Sequence, residues 1–207
     1  MLFIFLCCWS QTSVSDSPQP QAQQEDASPT AQPAEETIKK SPPVVAIARA
    51  RTLLPITYDP AYFKLEYPMG DPPPNKGVCT DLIIRTYREL GIDLQVLVHE
   101  DMQKHFEDYP KIWGLKKPDS NIDHRRVPNL QTFFDSYAQR YPIDSLEDFK
   151  PGNIVIWKLP TGQFHIGFVS DQKIRSTPKI IHNIGAGPAE EAGLFSWEIV
   201  RNYSYPI

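Results

Sequence analysis

The spacing of the hydrophobic residues changes twice along the chain. Residues 16–43 are rich in Ser, Gln, Pro, Ala and Glu and hold almost no large apolar side chains, which predicts a disordered linker. From residue 44 to about residue 141 the apolar residues recur at helical spacing, and after that they form β-branched or aromatic runs. Helices followed by strands predict one α+β domain over residues 44–207, with N-terminal helices packed on a C-terminal antiparallel sheet.

The clearest helix lies in GVCTDLIIRTYREL, where apolar residues recur from Val78 to Leu90. Thr80 or Asp81 can cap its first turn, and Gly91 suits its C-terminal cap. Further helices are predicted from residue 44 to a point before Pro55, over about 95–108, and in LQTFFDSYAQRY. Three strands are predicted, in GNIVIWKL, FHIGFVSD and KIIHNIG. The tryptophans Trp113, Trp157 and Trp197 are expected in the core.

The N-terminal run MLFIFLCCW is too short to span a bilayer and suits an export signal over residues 1–15. It lacks the usual positive charge, and Cys7 and Cys8 leave a lipoprotein signal open as an alternative. We therefore expect an exported protein of the periplasm or cell envelope. Its contact with a membrane would be only through this signal or a lipid anchor.

The charge balance limits the classes of partner. The net charge of −4 gives no basic field for nucleic acid, so no nucleic-acid partner is expected, and we expect a monomer. Cys79 is the only cysteine beyond residue 8, which leaves it without an intrachain disulfide partner once the leader is removed. Cys79 is then either a buried structural residue or a reactive thiol.

The reactive alternative needs a base and an orienting group. A helix N-terminus lowers a thiol pKa, and Cys79 is expected at one. His165, in FHIGFVSD, can act as the base. His182, in the next strand, can lie within hydrogen-bonding distance of His165 across a hairpin. Asn183 is the alternative orienting residue, although strand alternation should point its side chain to the opposite face.

The order GVCTD, HIGFVSD and IIHN resembles the NlpC-type cell-wall peptidases, which have a papain-like fold. The longer strings GVCTDLIIRTYRELGIDL, NIDHRRVPNLQTFF and HNIGAGPAEE resemble a family known as domain of unknown function 1287. The resemblance implies Cys79 as nucleophile, His165 as general base and His182 as orienting residue. NlpC-type enzymes usually have DCSG at the nucleophile, whereas this chain has VCTD, so Asp81 lies where substrate specificity should differ.

Candidate substrate-binding residues follow from the same resemblance and from charge. A tyrosine upstream of the nucleophile often lines the oxyanion region of such enzymes, and Tyr58, Tyr62 and Tyr67 are all candidates. Arg125 and Arg126, in DHRR, can present a guanidinium fork to a substrate carboxylate. The alternative is an ordinary charged loop that pairs internally.

These observations predict a cysteine hydrolase that cleaves amide bonds through a Cys79 thioester, with peptidoglycan stem peptides or another peptide as substrate. No metal and no cofactor is expected. Two alternatives stay open, which are an acyltransferase on the same scaffold and a non-catalytic module that binds cell wall or peptide.

Overall fold

The computed structural model describes residues 41–206, so the predicted export signal and most of the predicted linker lie outside the described residues. Within this range the chain forms four α-helices, namely α1 (Pro43–Arg51), α2 (Cys79–Glu89), α3 (Leu94–Lys104) and α4 (Val127–Tyr137). Short 3-10 helices lie at Phe106–Asp108, Asp123–Arg125 and Leu146–Asp148. No helix in this range is long and apolar enough to cross a membrane.

The strands follow mostly after the helices, as predicted. They are β1 (Thr57–Tyr58), β2 (Lys76–Gly77), β3 (Gln139–Arg140), β4 (Ile154–Lys158), β5 (Phe164–Ile174), β6 (Thr177–Ile184), β7 (Gly187–Glu191) and β8 (Glu198–Ser204). β1 and β2 form a small parallel pair, and the other six form one antiparallel sheet in the order β3-β8-β4-β5-β6-β7. The prediction of an α+β fold with an antiparallel sheet is confirmed.

The helix boundaries show which local signals decided them. Helix α2 begins at Cys79, where the Asp81 carboxylate accepts a hydrogen bond of 2.7 Å from the backbone N–H of Val78. The helix ends just before Gly91, whose φ of +83° is the left-handed conformation that glycine adopts at little cost. Helix α3 stops at Lys104, four residues earlier than predicted, and a 3-10 turn at Phe106–Asp108 takes its place.

The sheet buries both of its faces. One face packs on the helices through Ile154, Ile156, Ile166, Phe168 and Ile181, which join the main hydrophobic core. The other face carries a second cluster that includes Val155, Trp157, Val169 and Ile180, covered by Leu194 and Trp197. Strand alternation assigns neighbouring residues to opposite faces, and this determines where each candidate catalytic side chain lies.

Candidate active site

Cys79 lies at the start of α2, against strand β5. The pairing of β5 with β6 ends at Gly167 opposite His182, so the backbone N–H of Ile166 faces the Cys79 sulfur instead of a β6 carbonyl. The N–H groups of Cys79 and Thr80 also lie beside the sulfur. Since the first N–H groups of a helix have no intrahelical acceptor, they are available to a negative charge at this point.

The protonation of Cys79 differs from the sequence prediction. Burial raises the pKa of the thiol to about 12, and the nearby Asp81 carboxylate raises it further, although the three N–H groups act in the opposite direction. The helix N-terminus does lower this pKa, as expected, but burial has the larger effect, so the expectation of a lowered pKa for the Cys79 thiol is wrong. Cys79 is only 6% exposed, and desolvation of the charged form outweighs the helix.

A chain of hydrogen bonds runs from His165 to a carboxylate. Nε2 of His165 lies 2.8 Å from Nδ1 of His182, and Nε2 of His182 lies 2.9 Å from Oε1 of Glu191. The hydrogen bond expected between the two histidines is present. Gly167 makes room for it, since a Cβ there would lie 2.9 Å from Cβ of His182 and 2.8 Å from the carbonyl oxygen of Ile181.

This chain of hydrogen bonds also determines which histidine nitrogens carry protons. A carboxylate only accepts hydrogen bonds, so Nε2 of neutral His182 donates to Glu191 and its Nδ1 is left as an acceptor. Nε2 of His165 must then donate to Nδ1 of His182. The remaining nitrogen of His165, Nδ1, keeps its lone pair, as a general base requires.

Two tryptophans enclose the histidine pair on the sheet face away from the helices. The ring centroid of His165 lies 5.7 Å from that of Trp157 and 5.5 Å from that of Trp197. Burial and the neighbouring His182 lower the pKa of His165 to about 3. Burial also lowers the pKa of His182, while the hydrogen bond to Glu191 opposes that shift. Both imidazoles are therefore neutral near pH 7.

Cys79 and His165 line one cavity of about 690 Å³. Within residues 41–206 no hydrogen bond joins the thiol to the His165 ring. Cys79 belongs to the core on the helix side of the sheet, whereas the His165 ring lies beside Trp157 on the other face, and the two residues share the cavity between them. Tyr58 borders the same cavity, and burial raises the pKa of its hydroxyl to about 12.

The other tyrosine candidates lie away from the thiol. Tyr67 is exposed, does not line the cavity and packs edge-on against His99, with ring centroids 5.3 Å apart. Tyr62 is also exposed and donates a hydrogen bond of 3.0 Å to Asp119. Of the three, the structure brings only Tyr58 to Cys79.

Asn183 lies on the helix side of β6, as alternation predicts. Its Nδ2 donates to the carbonyl oxygen of Gly77 at 3.2 Å, and its buried Oδ1 has no partner among residues 41–206. The position next to His165 that an orienting residue needs is occupied by His182. Asn183 instead ties the end of β6 to the residues just before Cys79.

Asp81 and Arg125, both candidates for substrate binding, are bound to each other. Nε of Arg125 donates to Oδ1 of Asp81 at 2.8 Å and Nη2 donates to Oδ2 at 3.0 Å, and each side chain is 2% exposed. The hydroxyl of Thr80 adds a hydrogen bond of 3.0 Å to the carbonyl of Arg125. This pair therefore fixes the Asp123–Arg125 turn to the first turn of α2 and holds Cys79 in position.

Arg126 differs from its neighbour. It has no hydrogen bond or ion pair with any residue in 41–206, and its guanidinium lies 4.1 Å from the ring centroid of Trp113. Both side chains line the cavity. Trp113 is 37% exposed, so the prediction that it is a core residue is wrong, whereas Trp157 is fully buried.

Glu191 is the residue of this site that the sequence interpretation did not find. It pairs with Ile180 across the hairpin, so it shares a face with His182 and reaches it diagonally. The signal was available in HNIGAGPAEE, where the turn at Gly185 and the alternation after it place one of the two glutamates on the histidine face. Within residues 41–206 no cluster of His, Cys, Asp and Glu is arranged to hold a metal ion.

The fold and site define an α+β protein with a cysteine at a helix N-terminus and a histidine pair on the adjoining sheet. The family model for the domain of unknown function DUF1287 matches residues 45–205, and the chain belongs to that family. It is also similar to "Uncharacterized protein YijF" of Escherichia coli (strain K12), with 49% identity over 178 residues, covering 79% of this chain and 87% of the relative.

Proposed function

We propose that the protein is an exported cysteine hydrolase that cleaves amide bonds in peptides, with peptidoglycan stem peptides as its substrates. The observation that carries this proposal is the chain from Glu191 through His182 to His165, which leaves Nδ1 of His165 unprotonated beside the cavity that holds Cys79. A general base for a thiol needs an unprotonated nitrogen that faces the same cavity as the thiol.

The reaction would start from a neutral thiol and a neutral imidazole. As the Cys79 sulfur attacks the substrate carbonyl carbon, its proton passes to Nδ1 of His165 and the carbonyl electron pair moves onto oxygen. The N–H groups of Cys79 and Thr80, which lie beside the sulfur, would stabilise that oxyanion. The carbon–nitrogen bond then breaks, His165 protonates the leaving amine, and a thioester remains on Cys79.

Water would complete the cycle. His165 accepts a proton from the water that attacks the thioester carbonyl, the carbon–sulfur bond breaks, and the same proton returns to the Cys79 sulfur. The products are an amine and a carboxylic acid, and the thiol and imidazole regain their starting states. The second step needs the same lone pair on His165 as the first, so one base serves both.

The papain-like arrangement of the NlpC-type enzymes is part of the same proposal. It is supported by the order of the elements along the chain: the cysteine is at a helix start, the proposed base is on one strand and the proposed orienting residue is on the next. An acyltransferase would use the same thioester with an amine or alcohol in place of water. We propose hydrolysis because it needs no second organic substrate in the cavity.

A non-catalytic module that binds cell wall or peptide is the second candidate, and one observation favours it. Burial raises the pKa of Cys79 to about 12, so the thiol is not ionised near pH 7. Such a module would keep the cavity without needing the proton acceptor. The hydrolase proposal instead requires that the thiol lose its proton only when the substrate carbonyl is in place.

The test is incubation of the purified full-length protein with peptidoglycan sacculi, followed by mass spectrometry of the released peptides. Cys79→Ala and His165→Ala should release none above background. His105→Ala is the matched control, because His105 is a half-exposed histidine on another surface, and it should match the wild type. Hydroxylamine in the reaction should convert part of the product acid to a hydroxamate, which reports the thioester.

Identical fragments from the wild type and Cys79→Ala would contradict the hydrolase proposal. If wild-type protein binds sacculi without releasing peptides, the binding module is the correct function. Transfer of an added amine to every product, with no free acid formed, would identify an acyltransferase instead.

A further inference from the structure

The two neighbouring arginines at the cavity have different roles. Arg125 uses its guanidinium on Asp81 and on the carbonyl oxygen of Ala61, which lies 3.1 Å from Nη1. Arg126 makes no hydrogen bond or ion pair with residues 41–206. A partly buried guanidinium without an acceptor is unusual, because arginine is seldom enclosed by protein unless it is paired.

The acidic residues nearest to Arg126 are committed to other groups. Asp119 accepts a hydrogen bond from Tyr62, and the fully buried Asp123 pairs with His99 at 3.1 Å. Both raise the pKa of Arg126 at a distance, but burial outweighs them and lowers it. No acidic residue lines the cavity in the described part of the chain. The cavity wall therefore carries a positive charge that the protein itself leaves unpaired.

The surroundings of Arg126 leave part of its guanidinium free. Trp113 covers one face of it at 4.1 Å, which orients the planar group without using its N–H donors. Nη1 is enclosed by protein, next to a void of about 10 Å³ that Asn129 also borders. Nε and Nη2 are also unpaired but are not enclosed, so they remain for a ligand.

We propose that Arg126, held by Trp113, is the carboxylate anchor of this cavity, and that the protein selects peptides bearing a free carboxylate near the bond presented to Cys79. The inference rests on the proposed function only in assuming that the bound peptide is then cleaved, because the anchor itself is a binding site. A carboxylate is the group that matches a guanidinium edge with two parallel hydrogen bonds. It would restore the charge balance that the cavity lacks.

Binding can be measured apart from cleavage, in full-length Cys79→Ala protein by calorimetry. The probes are N-acetyl-L-Ala-γ-D-Glu-L-Lys, which has two free carboxylates, and its two monoamides. We expect one monoamide to bind about 10- to 100-fold more weakly than the acid, as loss of a charge-assisted pair implies. Arg126→Gln should bind the acid as weakly as that monoamide. Arg126→Lys should recover part of the difference, because it keeps the charge without the fork.

Arg140→Gln is the matched control, since it removes the same charge from an exposed arginine outside the cavity and should keep the full discrimination. Equal affinity for the acid and both monoamides would overturn the inference. So would unchanged discrimination in Arg126→Gln, or failure of the acid to bind at millimolar concentration. Discrimination by Arg126 together with no peptide release by the wild type would retain the anchor and reject the hydrolase.

Discussion

Oε1 of Glu191 lies 2.9 Å from Nε2 of His182, across the hairpin formed by β6 and β7. The carboxylate is more than half exposed, whereas the imidazole that it contacts is 1% exposed. The contact acts on the neighbouring base rather than on the substrate. By accepting a hydrogen bond from Nε2–H, Glu191 forces Nδ1 of His182 to be an acceptor, and this in turn keeps the proton of His165 on Nε2.

Removal of Glu191 should therefore impair catalysis through the tautomer of His165. In Glu191→Ala either nitrogen of His182 can carry the proton, and the wrong choice places a proton on Nδ1 of His165. We expect kcat for peptide release to fall about 10- to 100-fold, part of what general acid–base catalysis contributes. Glu191→Gln should keep most of the activity, because the amide oxygen can accept the same hydrogen bond.

Nitrogen-15 NMR of the imidazoles separates this role from a structural one. His165 should show a protonated Nε2 and an unprotonated Nδ1 in the wild type and in Glu191→Gln, and a mixture in Glu191→Ala. Glu107→Ala, at an exposed position, is the control for loss of a carboxylate. Equal losses of kcat in the Ala and Gln variants, with the same tautomer in both, would contradict the prediction.

The dependence of hydrolysis on pH should reflect the buried base. His165 acts only when neutral, and its pKa is lowered to about 3 by burial and by His182. An ordinary histidine of pKa about 6.5 would be about 97% protonated at pH 5 and would lose activity about 30-fold there. We expect kcat/KM to stay nearly constant from pH 7 to pH 5.

The thiol should not add a rise near its ordinary pKa either, because burial raises the pKa of Cys79 to about 12. The measurement is kcat/KM between pH 5 and pH 9 with one peptide released from sacculi, with enzyme stability checked at each pH. A loss of activity centred near pH 6.5, or a rise centred near pH 8.5, would show that the site is more hydrated than its geometry indicates.

Local patterns were sufficient for the elements that carry the predicted triad. Helix α2 has regular apolar spacing and clear signals at both ends, and strands β4 to β6 alternate or run apolar between turn residues. The contact between His165 and His182 followed from pairing two successive strands. Each of these inferences needs only residues that are close in the sequence, where spacing and turn chemistry determine the geometry.

The strands, the ion pair and the thiol pKa that the sequence did not predict depend on tertiary contacts. Strands β7 and β8 have polar sequences, GPAEE and EIVRNYS, so their alternation is weak, although β8 lies inside the sheet. Arg125 and Asp81 are 44 positions apart, and nothing local shows that they pair while Arg126 stays free. The thiol pKa depends on burial, which spacing at a helix start does not reveal.

Each partner of the Asp81–Arg125 ion pair should be important for the free energy of unfolding. Removal of one partner leaves the other charged, buried and unpaired, which typically costs about 3–5 kcal/mol. We expect that cost for Arg125→Met, measured as the change in free energy of unfolding in urea. The double variant Asp81→Leu/Arg125→Met should be less destabilised than the sum of the single variants, because no charge is left buried.

Glu107→Gln provides the comparison, since its partner Lys111 and Glu107 itself are both exposed, and it should change stability little. If the changes in unfolding free energy of Asp81→Leu and Arg125→Met simply added in the double variant, the assigned contact between the two side chains would be contradicted. A loss of activity in Arg125→Met without a loss of stability would show that Arg125 acts on substrate instead.

Stability should also fall in acid because of His124, which is 1% exposed and lies outside the proposed reaction. Burial, with the positive charges of Arg125 and Arg88, lowers the pKa of His124 to about 3, and Asp119 opposes this. The unfolded chain, with a histidine pKa of about 6.5, therefore binds more protons than the folded one between pH 6.5 and 3. The stability that the protein gains by keeping His124 neutral is therefore complete above pH 6.5 and is lost as the pH falls towards 3.

His124→Gln should reduce the slope of unfolding free energy against pH by about 1.4 kcal/mol per pH unit in that window. The two curves should run parallel from pH 7.5 to 8.5, and equal slopes below pH 6 would show that His124 is protonated in the folded protein.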